Sequence, residues 1–87
     1  MDIDKIIDGL VEQLADIEHA RWAKWQRYLH SKATKRPDGS LVIPAELVER
    51  WERQIETAYA DLSEKEKESD REQVREYVDV IKDALRS

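Results

Sequence analysis

Two apolar lines run side by side through residues 3 to 29, and they constrain the fold more than any other feature of the chain. Ile3, Ile7, Leu10, Leu14 and Ile17 recur at spacings of four and three, with Ile6 widening the line. Val11, Ala15, Trp22, Trp25 and Leu29 form the second line, with Glu18 set among them and His19 beside it. At 3.6 residues per turn the two lines adjoin, so one long helix over this stretch presents a broad apolar face. A broad face needs several elements packed on it. A chain of 87 residues without cysteine has few elements to offer and no disulfide to staple them. The expectation is a single domain over residues 1–87, with more apolar surface than its own helices cover and hence a homo-oligomer. Gly9 interrupts the pattern at about 1 kcal/mol of helix propensity and offers a point of close approach.

The rest of the chain reads as a turn and two further helices. Pro37-Asp38-Gly39 is a strong turn signal, and Leu41-Val42-Ile43 after it is a short β-branched run, which predicts a small hairpin or an irregular loop. Pro44 suits the opening turn of a second helix, on which Leu47, Val48, Trp51 and Ile55 share a face. Ser63 and Glu66 have capping-box spacing and announce a third helix, with Val74, Tyr77, Val78, Ile81 and Leu85 as its apolar stripe. The fold class expected is therefore mainly α: three helices in antiparallel packing, with the hairpin or loop between helices 1 and 2.

Stepping that last stripe backwards by four and three reaches Asp70 and Arg71, where apolar residues are expected. Charges turned towards the body of a protein need partners, because an unpaired one costs several kcal/mol. Antiparallel packing of helices 1 and 3 brings Glu18, His19 and Trp22 within range. Either a Glu–Arg and Asp–His network closes there, or the pair floors a ligand pocket.

Charge is unevenly spread. The chain has 15 basic and 20 acidic residues, net −5, which favours solubility and disfavours general nucleic-acid binding. Residues 20 to 37 nonetheless hold six of the basic residues (Arg21, Lys24, Arg27, Lys32, Lys35, Arg36) and no acid. Trp22, Trp25, Tyr28 and His30 are interleaved with them. Guanidinium groups pair with phosphate and indole faces stack on bases, so such an island suits an anion that carries a flat ring. Cations late in a helix also offset its negative end, which is the plainer account of the same residues.

His19-x-x-Trp22, followed by Tyr59, Leu62 and Glu66-Lys67-Glu68-Ser69-Asp70-Arg71, resembles the RyR domain, the small repeat of ryanodine receptors also found as short bacterial and phage proteins. The resemblance spans about residues 15 to 78. It implies a mostly helical fold with short strands between helix pairs, and a tryptophan-lined cleft that accepts adenine nucleotides or related messengers. His19, Trp22, Asp70 and Arg71 match its motif, with Tyr59 alongside. The Gly-Trp-x-x-Gly stretch and the His-Pro of the family are absent, and residues 45 to 56 form an extra helical segment, so the middle of the family pocket is rebuilt here.

The function expected is a non-enzymatic binding module for a nucleotide-like small molecule. His19, Arg21, Trp22, Lys24, Trp25, Lys35, Arg36, Tyr59, Asp70 and Arg71 are its candidate ligand-binding residues. Trp22 would stack on the base and Arg71 with the cationic island would hold phosphate; a small phage protein of this kind would sequester a host immune signal without cleaving it. The alternative is an assembly module in which Trp22, Trp25 and Trp51 anchor an interface. No cofactor, metal or catalytic residue is expected: Ser63 is taken up as a cap, and His19 and His30 are eleven residues apart, too far along one helix to share an ion. Asp2 and Asp4 behind Met1 do not suit a targeting segment and no stretch suits a membrane span, so a cytoplasmic protein is expected.

Overall fold

Ser63 marks the start of the longest helix, as its spacing to Glu66 predicts. The amide of Glu66 donates to Ser63 Oγ at 3.2 Å and the Glu66 carboxylate accepts from the Ser63 amide at 3.3 Å, so two otherwise orphaned donors are satisfied reciprocally. The computed structural model describes residues 1–86. It holds helices α1 (Ile3–Asp8), α2 (Val11–Lys32), α3 (Ala45–Glu56) and α4 (Glu64–Arg86), with a single 3-10 turn at Tyr59–Asp61 before α4. Strands β1 (Thr34–Lys35) and β2 (Leu41–Val42) pair antiparallel between α2 and α3, with Thr34 opposite Val42 and Lys35 opposite Leu41.

The hairpin turn follows from its residues. Gly39 sits at φ 91°, a conformation that costs glycine little and other residues more. Asp38 Oδ1 accepts from the Ser40 amide at 2.9 Å and from its hydroxyl at 2.6 Å, an Asx turn that fixes the corner.

The expected count of three helices is corrected to four, because the long N-terminal pattern is broken at Gly9 and Leu10. Both residues keep right-handed backbone angles, but Leu10 lies at φ −90° and ψ −5°, the bridge region. Its amide bonds three residues back, to the Ile7 carbonyl at 3.0 Å, before α2 begins with Leu14 N–H to the Leu10 carbonyl at 2.9 Å. The close approach at Gly9 is to its own chain: a Cβ there would meet the Lys5 carbonyl at 3.3 Å and the Ile6 carbonyl at 3.4 Å. Leu10, at the break, is 8 % exposed and is the one buried residue among those described.

Helices α2 and α4 run antiparallel. Glu18 of α2 bonds Tyr77 of α4, while residues 21 to 28 of α2 share a cleft with residues 65 to 76 of α4. Ile7, Leu14 and Ile17 are half-buried, as are Tyr77 and Ile81 of α4, so the first apolar line packs from Ile7 onwards while Ile3 stays exposed. Of the second line Leu29 is half-buried, but Val11, Trp22 and Trp25 remain exposed. The molecule measures 55 × 34 × 16 Å, a flat, elongated plate.

Candidate functional site

The cleft lies where α3 crosses the α2–α4 pair. Two hydrogen-bonded junctions hold its walls. On the α2 side, Glu18 accepts from the Arg21 guanidinium and from the Tyr77 hydroxyl. Those bonds, the Arg21 contact first and the Tyr77 hydroxyl second, hold the Glu18 carboxyl down to about 2 and push the Tyr77 phenol up. On the α3 side, Gln54 Nε2 donates to Glu66 Oε2 at 2.5 Å, while Glu66 Oε1 serves the Ser63 cap. The Gln54 amide and then the Ser63 hydroxyl hold Glu66 below the usual carboxylate range. One carboxylate thus ties α3 to the first turn of α4.

Between these junctions the cleft spans about 710 Å³ and is open to solvent. One wall is cationic and aromatic: Arg21, Lys24, Trp25 and Tyr28 from α2, with Arg50 and Trp51 from α3. The Trp25 ring stacks on Tyr28 at 5.5 Å between centroids and meets Trp51 edge-on at 5.4 Å, both favourable aromatic geometries. The facing wall is α4, with Glu66, Asp70, Glu72 and Glu76 among Lys65, Ser69 and Gln73. The site is dipolar across its width rather than uniformly basic.

The candidate residues separate into three groups. Arg21, Lys24, Trp25 and Asp70 line the cleft. Tyr59, Arg71 and again Asp70 line a shallower depression of about 410 Å³ on another side of α4, floored by Val74. His19 and Trp22 stack on each other at 5.9 Å, exposed and outside both hollows, while Lys35 and Arg36 stay on the hairpin. The interhelical clamp considered for Asp70 and Arg71 is not formed. Arg71 Nη1 bonds Glu64 and Glu68 of its own helix, each at 3.3 Å, and Glu18 is already taken by Arg21 and Tyr77. Asp70 is exposed and makes no hydrogen bond or ion pair with any described residue. Its place on the apolar stripe has a simple account: it stands at the mouth of two hollows, wet on both sides.

Arg50, Gln54, Lys65 and Gln73 are site residues that sequence reasoning missed. Arg50 and Gln54 are four apart on α3, on either side of Trp51 in sequence, and an i,i+4 pair around a tryptophan was the available signal. Among the described residues no group of three or more His, Asp or Glu side chains could hold a metal ion, and no helix is long and apolar enough to cross a membrane. Comparison with protein-family models, with curated proteins and with solved structures gave no match.

Proposed function

We propose that the protein is a non-enzymatic binding module whose α2–α3–α4 cleft takes a nucleotide-like ligand. The observation that carries this reading is the opposition of the two walls. Lys24 and Arg50 offer charge-assisted donors to phosphate, and the Trp25 face offers a stacking surface. Asp70 and Glu72 across the cleft offer acceptors to the amino groups of a base. The stacking role expected of Trp22 passes to Trp25, because Trp22 lies outside the cleft. The ligand class also draws on the resemblance to the RyR domain.

The test is a thermal-shift screen of mono-, di- and cyclic nucleotides, followed by calorimetry. A ligand at a hundredfold over its Kd adds about 2.7 kcal/mol to stability. A hit abolished by Trp25→Ala and by Arg50→Ala, with the fold intact, supports the cleft. A flat screen on folded protein contradicts it.

A second reading, an assembly module without a small ligand, is favoured by a separate observation: Leu10 alone is buried among the described residues, and it keeps 8 % exposure. A domain that lacks a core of its own is completed by something else.

A further inference from the structure

We propose that the apolar side of the plate is covered by a second copy of this chain, packed face to face so that α2 and α4 of both copies form a four-helix core. This deepens the assembly reading and uses a surface distinct from the cleft.

The surface is built by helical phase. On α2 the exposed row Val11, Ala15, Trp22, ending at half-buried Leu29, lies beside Glu18 and roughly a quarter turn from Leu14 and Ile17. On α4 the row of exposed Val74 and half-buried Val78 and Leu85 lies roughly a quarter turn from Tyr77, which meets α2. Because the helices run antiparallel, both quarter turns lead to the same side of the plate. The Glu18–Tyr77 bond sets the level, and Trp22 comes beside Val74. These two are each 53 % exposed, and Val11 is 60 % exposed. The opposite side is polar: it carries Gln13 and Ala20 of α2, Asp83 of α4 and the cleft residues Lys24, Glu72 and Glu76.

Area points to the occupant. The chain exposes 7201 Å², whereas a compact monomer of its mass, 10.3 kDa, exposes about 5,400 Å². Its radius of gyration is 17.6 Å against about 12 Å for a compact chain of this length. The excess, on the order of 1,800 Å² per chain, doubles to about 3,600 Å² for a pair, within the span of obligate homodimers.

Charge order points to the same occupant and sets its direction. Along the outer edge of α4, Glu64 and Arg86 are each eleven residues from Arg75, Glu68 and Lys82 each seven, and Arg71 and Asp79 each four. A two-fold axis at the level of Arg75 therefore sets each of these acids against a base of the other copy, with Arg75 alone facing its own counterpart, whereas parallel pairing sets like against like throughout. The same axis crosses α2 near Ala20, given the level fixed by Glu18 and Tyr77. It places Val11 opposite the partner copy's half-buried Leu29, small against large. Self-complementarity of this kind is what an isologous interface requires.

The test is the solution mass of the full chain, with variants on each side of the plate. The wild type is expected at twice 10.3 kDa, Trp22→Lys at the monomer mass, and Gln13→Lys, on the polar side, still at twice it. Val74→Cys gives a readout that does not depend on Trp22→Lys keeping its fold. The chain has no cysteine, and Val74 lies next to the proposed axis, so mild oxidation should yield a covalent dimer that Gln13→Cys does not. A monomeric wild type overturns both this proposal and the assembly reading. A dimer unaffected by Trp22→Lys and not trapped by Val74→Cys keeps self-association and overturns this face.

Discussion

The two apolar lines of the N-terminal segment meet different fates. Leu10, Leu14 and Ile17 are buried or half-buried, while Val11, Ala15 and Trp22, a quarter turn away on the same helix, stay exposed. Both lines are apolar, and both follow helical spacing. What separates them is supply: α4 offers one stripe, long enough to cover one line. An apolar pattern in a short chain reports which surface must be covered, and leaves open whether the chain itself provides the cover.

The largest effect should come from the covered line. Leu10→Ala is expected to lower stability by about 2–5 kcal/mol, the range for emptying a buried leucine site, as measured by denaturant unfolding. Val11→Ala, one residue on, should cost well under half of that in dilute protein, where no second copy covers Val11. Equal losses at the two positions would break the contrast between the lines.

Smaller effects belong to the junctions. Ser63→Ala removes the reciprocal cap that starts α4 and should cost about 1 kcal/mol, with loss of helical signal at the first turn. Glu66→Gln should cost less, because its side-chain oxygen still accepts from the Ser63 amide. A cap that proves silent would mean that α4 is held by its C-terminal packing alone.

The smallest effect is a pH dependence. Glu18 is ordinarily near 4.5 and is held down to about 2 in the fold. A depressed carboxyl contributes stability that is complete above its unfolded value and is lost as pH falls through the folded one, here between about 4.5 and about 2. Tyr77 is raised by the same Glu18 contact. Its contribution is complete below its unfolded value of 10.0 and is lost as pH rises through the higher folded one. Glu18→Gln should flatten both limbs of a pH–stability profile. Because these groups are exposed, salt should weaken both limbs.

Much of this was legible in the residues. Ser63 and Glu66 marked a helix start, Pro37-Asp38-Gly39 marked the hairpin, and the cationic aromatic run picked out Arg21, Lys24 and Trp25. The break at Gly9 was not legible, because Gly9 and Leu10 keep right-handed angles and the spacing from Ile7 through Leu10 to Leu14 stays in phase. The cationic part of α3 and α4 was hidden for another reason. Arg50 and Lys65 sit in stretches of mixed charge, and only the crossing of α3 over α2 and α4 brings them beside Trp25. Trp22 misled by a rotation: one residue beyond Arg21 is about 100° around the helix, enough to carry it from the cleft to the apolar side.

The measurement that tests the central claim most directly is the unfolding midpoint as a function of protein concentration. If a second copy completes the fold, folding and association are linked, and Tm rises steadily as the chain is concentrated over two decades. A Tm independent of concentration would show that one copy is stable with its second apolar line in water, and would contradict the account.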